Sequence, residues 1–250
     1  FITRISTRIL TENYINMRTP RPGWAGVVQR DLVPLDIVQD ISSKITNLTE
    51  SIYGVAPVVE FRGNLTCTLD YIPRHLRFMA QEMLKNACRA TTERHIRSGR
   101  QGAGYDIRSG RLDAKIPNVV VELQKGDVHV IIKISDQGGG MPKKLQEEAW
   151  EYGWSTANSM EDSDDPSSAW DSSSKAWRKE LAGFGFGLPL TRLHAQYFGG
   201  DVFMQAMPGH GTDMYLLLNH LKEGSPSTET EDPSTALTEN ENRLSSHNAP

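Results

Sequence analysis

The order of hydrophobic patterns along this chain predicts an α+β fold, a two-layer α/β sandwich with helices on one face of a mixed, mainly antiparallel sheet. Three observations carry that expectation. Residues 34–54 and 74–97 repeat apolar side chains at helical spacing, and residues 119–134 and 201–219 each read as two strands around a turn signal. The elements also run helix, hairpin, helix, loop, helix, hairpin, without the strict strand–helix alternation of a doubly wound dinucleotide fold. With 250 residues, 38% of them apolar and 23% charged, the chain has enough material for a sizeable core under a soluble surface. A net charge of −4 gives no reason to expect nucleic acid or an anionic membrane as partner. The two cysteines, Cys67 and Cys88, make no disulfide framework, which favours a reducing compartment. No apolar run approaches the roughly 20 residues of a membrane span.

Each element has its own warrant. Ile2, Ile5, Ile9 and Leu10 fall at helical spacing from the first residue, Phe1, so 1–17 reads as the end of a helical bundle that is mostly missing from a fragment. For the same reason no targeting segment is expected to be visible. Residues 18–33 read as a Pro-, Gly- and Arg-rich loop. Pro34 suits a helix start, and Ile37, Ile41, Ile45, Leu48 and Ile52 form an apolar stripe ending near Gly54. Strand-like runs flank Gly63-Asn64. In the helix at 74–97, ~100° per residue puts Leu76, Ala80, Met83, Ala87 and Ala90 on one side and His75, Phe78, Glu82, Asn86, Arg89 and Glu93 on the other. Residues 98–117 read as a flexible insertion. A hairpin with a Gly126-Asp127 turn follows, then a helix around 143–152 and a Ser/Asp-rich stretch at 158–175. A glycine loop at 183–187 opens a helix to about Phe198, and a hairpin closes around Pro208-Gly209-His210-Gly211. Residues 222–250 are polar enough to predict a disordered tail.

Four segments carry chemistry: Glu82-Met-Leu-Lys-Asn86, Asp136-Gln-Gly-Gly-Gly140, Gly183-Phe-Gly-Phe-Gly187-Leu188 and Gly209-His-Gly211-Thr212. Glu82 and Asn86 are one turn apart. An amide oxygen suits magnesium, and a nearby carboxylate can take a proton from a hydroxyl attacking a γ-phosphate. Asp136, at a strand end before Gly138 and Gly140, can accept from the amino group of adenine while the glycines let backbone approach the base. Gly183, Phe184, Gly185, Phe186, Gly187 and Leu188, leading into a helix, offer N–H groups to phosphates, although no Gly-Lys-Ser/Thr follows as in a Walker loop. Thr212 can reach the adenine edge, and Ser155-Thr156 reads as a helix end. Taken alone, each has a plainer reading: a solvated helix face, an Asp-capped turn, a hinge, a hairpin turn. Together they describe an ATP site. The seven histidines show no ligand spacing, and the acidic stretch 161–171 lacks EF-hand periodicity. Arg94, Arg97, Arg100, Arg108 and Arg111 read as a solvated basic loop, with an acidic partner's dock as the lesser reading.

These boxes make the chain resemble the gyrase, heat-shock chaperone, histidine kinase and mismatch-repair ATPase superfamily. Through Glu82 to Thr91, Ile134 to Gly140, Ala182 to Pro189, Arg192 to Asp201 and Gly211-Thr212-Asp213, it resembles more closely the mitochondrial α-ketoacid dehydrogenase kinases, pyruvate and branched-chain. The resemblance spans about residues 1–221. It implies a histidine-kinase-like ATP-binding domain at 18–221 with a lid at about 157–187, and an ATP-dependent protein serine kinase that inactivates the E1 component of a mitochondrial matrix dehydrogenase complex, pyruvate slightly favoured. It implies Glu82 as general base and Asn86 as the magnesium ligand, with potassium a further candidate cation. Lys85 and Arg89 would lie near the phosphates, Asp136 on adenine, and Ser155, Thr156 and Gly183 to Leu188 around the nucleotide. It further implies a homodimer, and a lipoyl domain of E2 docking on the missing bundle. Three departures stand out. Phe78 replaces the second His that many pyruvate dehydrogenase kinases carry four residues before the catalytic Glu, although His75 matches, so tuning of Glu82 falls to other neighbours. Residues 222–250 contain no Trp for the tail that locks some dimers. The bundle on which members dock the lipoyl domain is expected to lie mostly outside this fragment, which would then bind ATP without docking its substrate. The competing readings are a two-component-type histidine kinase, for which residues 1–52 supply no acceptor His, an ATP-driven clamp, and a nucleotide-binding scaffold without phosphotransfer.

Overall fold

The two hairpins that the alternating runs predict supply four of the five strands of the main sheet. In the computed structural model, which describes residues 1–101, 105–106, 111–112, 115–154 and 184–221, β7 (Val119–Lys125) pairs antiparallel with β8 (His129–Ser135), and β9 (Asp201–Met207) with β10 (Gly211–Asn219). β8 and β10 also pair antiparallel, with Ile132 opposite Leu216 and Ile134 opposite Met214. The period of two puts Val119, Val121, Leu123, Val130, Ile132, Ile134, Leu216 and Leu218 on one buried face. β3 (Val59–Gly63) completes the five-stranded sheet in the order β3-β7-β8-β10-β9, and it alone pairs in parallel.

The helical layer covers that face. α2 (Pro34–Tyr53) starts on Pro34, whose missing N–H costs nothing in a first turn, and stops at Gly54, whose φ of 74° closes the helix. Its buried stripe is Ile37, Val38, Ile41, Ile45 and Thr49; Leu48 sits at the rim, 38% exposed. α3 (Pro73–Gln101) extends past the predicted end at 97, and its Leu76, Ala80, Met83 and Ala87 are buried as expected. Removing Leu76 or Met83 from water contributes roughly 1.5–3 kcal/mol each. α5 (Gly187–Tyr197) lies beside α3, after the short α4 (Lys143–Glu148), which stops four residues before the predicted 152.

Several expectations needed correction. The segment 18–33 is no simple loop: β1 (Trp24–Ala25) and β2 (Val28–Leu32) form, and β2 pairs with β4 (Leu69–Tyr71) in a separate three-stranded sheet. The two runs flanking Gly63-Asn64 therefore join different sheets. Within 98–117, the end of α3 and a small pair, β5 (Tyr105–Asp106) with β6 (Arg111–Leu112), are present. α1 (Ile2–Arg18) is the predicted first helix. It buries Ile5 and meets α5, where the Tyr197 hydroxyl donates to Ser6 Oγ at 3.0 Å. The Ser/Asp-rich stretch and residues 222–250 lie outside the described residues. No helix among the described residues is long and apolar enough to cross a membrane.

Candidate functional site

A cleft of about 330 Å³ opens between α3, α5, the ends of β8 and β10, and the turn after α4. Eleven of the sequence-predicted residues line it: Glu82, Lys85, Asn86, Arg89, Asp136, Phe184, Gly185, Phe186, Gly187, Leu188 and Thr212. Gly138 and Gly140 lie behind the wall and shape it. Ser155, Thr156 and Gly183 lie outside the described residues.

At one end, β8 delivers Asp136 beside the start of β10. Its backbone N–H donates to Thr212 O at 2.9 Å, while Oδ1 accepts from Gly138 N–H at 2.7 Å and Thr212 N–H at 3.2 Å. Among the described residues, Oδ2 takes no hydrogen bond, which leaves an acceptor for a ligand. Burial pushes the Asp136 carboxyl up to about 6, against the two backbone donors that favour its charge. Gly140, at φ 63°, is where the loop passes so close to Met207 O and Gly211 O that a Cβ has no room, and a Cβ on Gly138 would strike Ala90.

At the other end, α3 presents Glu82, Lys85, Asn86 and Arg89. The Lys85 ammonium donates to Glu82 Oε2 at 2.6 Å, with both side chains less than 15% exposed. A Cβ on Gly187 would run into Glu82 Oε2, so the carboxylate sits against the first turn of α5, where the helix dipole and open N–H groups favour negative charge. Asn86 makes no hydrogen bond to any described residue, so its amide oxygen is available to a hard cation. No group of three His, Cys, Asp or Glu side chains that could hold a metal occurs among the described residues. One amide oxygen in a cleft fits magnesium, which keeps waters and phosphate oxygens as its other ligands.

Phe78, the departure near Glu82, packs at 4.8 Å between ring centroids against His194 of α5, and His75 meets the same ring edge-on at 4.9 Å. Burial lowers His75 to about 4, and it lowers His194 as well. His75 is thus a neutral, buried ring near neutral pH, with the part-buried His194 beside it. The polar neighbours of Glu82 are therefore Lys85 and the start of α5.

Sequence reasoning missed the apolar walls: Met83, Ala87, Met141, Ala149, Trp154, Leu190, Met204 and Met214. These come from several elements and have the composition of ordinary core, so no local signal sets them apart. It also misplaced Arg94, which is no solvated loop residue but reaches from α3 to backbone carbonyls at Gln137, Gly209 and His210.

Comparison with known proteins bears on the fold and the family. Residues 71–222 match the family described as histidine kinase-, DNA gyrase B-, and HSP90-like ATPase. Over 88% of this chain, it is 31% identical to the mitochondrial [pyruvate dehydrogenase (acetyl-transferring)] kinase of Arabidopsis thaliana, covering 56% of that protein. The Schizosaccharomyces pombe enzyme of the same name is 33% identical over 90% of this chain and 50% of its own length. Isozyme 4 from Homo sapiens is 32% identical over 90% and 51%. The chain thus spans about half the length of the curated relatives it matches.

Proposed function

The chain belongs to the histidine kinase-, DNA gyrase B-, and HSP90-like ATPase family, and from that premise we propose that its cleft binds ATP and that the whole protein is a protein serine kinase of α-ketoacid dehydrogenase complexes. The names of the relatives favour the pyruvate complex over the branched-chain one as target, and a mitochondrial location. The observation that carries the reading is the arrangement of one cleft: a buried carboxylate with an open Oδ2 at one end, Glu82 and an unengaged Asn86 amide at the other, and Gly187, the first residue of α5, against Glu82.

In this reading, Asp136 Oδ2 accepts from the adenine amino group, and Thr212 borders the base. Met83, Ala87, Met141, Met204 and Met214 give it an apolar slot. The triphosphate runs toward Arg89 and the N–H groups opening α5. Asn86 would hold magnesium, which supplies charge neutralisation on the phosphate oxygens. Glu82 accepts the proton of a serine hydroxyl as its oxygen bonds to the γ-phosphorus and the bond to the β-bridging oxygen breaks, releasing ADP. Lys85 holds the Glu82 carboxylate in one orientation. The ATP-binding domain covers 18–221, and the lid expected at about 157–187 falls largely outside the described residues. A helical bundle ending in α1 docks the lipoyl domain of E2, and the kinase acts as a homodimer on E1.

The test incubates full-length protein with γ-labelled ATP and purified pyruvate or branched-chain complex, beside Glu82→Gln. Acid-stable label on one E1, reduced about 10²–10⁴-fold in the variant with ATP affinity kept, is the expected result. Acid-labile label on the kinase itself, or no transfer to either complex, sinks the serine-kinase reading.

A further inference from the structure

We propose that Arg94 is a positioning residue for base recognition, fixing the two glycine loops that adjoin Asp136 and Thr212 onto the helix that carries Glu82. The proposal rests on the ATP-site reading above. The β8–β10 ladder ends at Ser135 and Asp213; Asp136 lies just past the end of β8, while Thr212 opens β10 and still pairs with Ala206 of β9. Beyond them run Gly138, Gly139 and Gly140 on one side and Gly209 and Gly211 on the other, five residues without side chains to pack. Two backbone bonds lace the loops together, Gly139 N–H to His210 O at 3.2 Å and Gly209 N–H to Gly139 O at 2.8 Å. Those bonds fix the loops to each other but not to the helical layer.

Arg94 supplies that link. One terminal nitrogen donates to His210 O at 2.5 Å and Gln137 O at 3.2 Å, and the other donates to Gly209 O at 2.7 Å. A guanidinium is suited to this because its donors form a rigid planar fork, whereas an ammonium would meet the same carbonyls as a single swivelling point. Two further features fit. Ala90, one turn before Arg94, is small enough for Gly138 to approach, and Gly139 passes so near that a Cβ there would lie 3.4 Å from Arg94 Cδ. Arg94 and Glu82 share α3 and stand about 18 Å apart along its axis, so the clamp sets the span between base and γ-phosphate. A carboxylate that selects adenine by accepting from its amino group, and rejects guanine by facing its O6, discriminates only while its position is fixed.

The test titrates full-length protein with ATP and GTP, comparing wild type, Arg94→Lys and Arg94→Met, the last keeping the stem's packing without donors. Circular dichroism confirms that each is folded at the assay temperature. We expect Arg94→Met to weaken ATP on the order of tenfold and GTP much less, so that the ATP:GTP preference collapses, with Arg94→Lys between it and wild type. An unchanged ATP affinity, or equal losses for both nucleotides, overturns the clamp while leaving the ATP site standing. Wild type that binds neither nucleotide overturns both.

Discussion

The two ends of the cleft are built on opposite plans. At the Asp136 end, backbone bonds from Asp136, Gly139 and Gly209, two N–H donors on one carboxylate oxygen, and the Arg94 fork knit two loops and a helix together. At the Gly187 end, among the described residues, the glycine segment is tied to the turn after α4 through one backbone bond, Gly153 N–H to Gly185 O at 3.1 Å, and through tilted ring contacts. Phe186 leans on Tyr152 and Phe1, and Phe184 stands 77% exposed. The difference separates two demands. Telling one base from another needs donors and acceptors that are already in place, because every ångström of freedom erodes the preference. Admitting a triphosphate and releasing a diphosphate needs a wall with little holding it.

The largest expected effect tests the rigid end. Gly140→Ala combines a φ of 63° with a Cβ forced against two carbonyl oxygens of the opposite loop, and backbone cannot swing aside as a side-chain tip can. Strain of ~1–3 kcal/mol and a clash of similar size should together remove about 4 kcal/mol of stability and abolish nucleotide binding. Denaturant unfolding and ATP titration measure both, and a variant with wild-type midpoint would show that the base end is looser than its hydrogen bonds indicate.

Asp136→Asn is next, and it pulls stability and binding apart. The folded carboxyl titrates at about 6, above its usual 3.8, chiefly because it is buried. Between those values the folded state holds a proton that the unfolded chain has released, so this group's contribution to stability falls as pH rises through that window. The asparagine lacks this slope. It should gain about 2–3 kcal/mol on wild type between pH 4 and pH 7. It should also bind ATP about 10–100-fold more weakly, since an amide nitrogen cannot accept from the adenine amino group. Wild-type affinity should decline below pH 6 and that of the variant should not. Parallel stability curves from pH 4 to 7 would contradict the assigned burial.

Legibility followed the same division. Periodicity over twenty or more residues made α2 and α3 readable, and the Gly126-Asp127 turn with its flanking alternation made the central hairpin so. The polar residues of the cleft could be found because Glu82 and Asn86 share a helix face and Asp136 ends a strand. β1 and β2 stayed hidden because their side chains show no alternation of burial, and the parallel pairing of β3 with β7 links residues about 60 positions apart, beyond any local pattern. Arg94 looked like one of five clustered arginines. The signal that separates it is its place one turn after Ala90 and two after Asn86 on the cleft side of α3, which is readable only once the loops are known to pass there.

Gly187→Ala carries the smallest effect and discriminates most finely between the two ends. Here too a Cβ would overlap a neighbour, but the neighbour is Glu82 Oε2, the tip of a flexible side chain, and Gly187 is not among the positive-φ glycines. Alanine is also the better helix former in the first turn of α5, worth up to about 1 kcal/mol. Folding stability should therefore hold or rise slightly, in contrast to the collapse expected for Gly140→Ala. The displaced carboxylate, still tethered to Lys85, would no longer meet the hydroxyl it is proposed to deprotonate. A shift of this kind costs on the order of tenfold in turnover, with KM for ATP nearly unchanged. Steady-state phosphorylation of the dehydrogenase complex, run beside thermal denaturation, reads both quantities. If Gly187→Ala lost stability as Gly140→Ala does, the glycines at the two ends would serve one packing role, and the contrast between a fixed base end and a yielding phosphate end would fail.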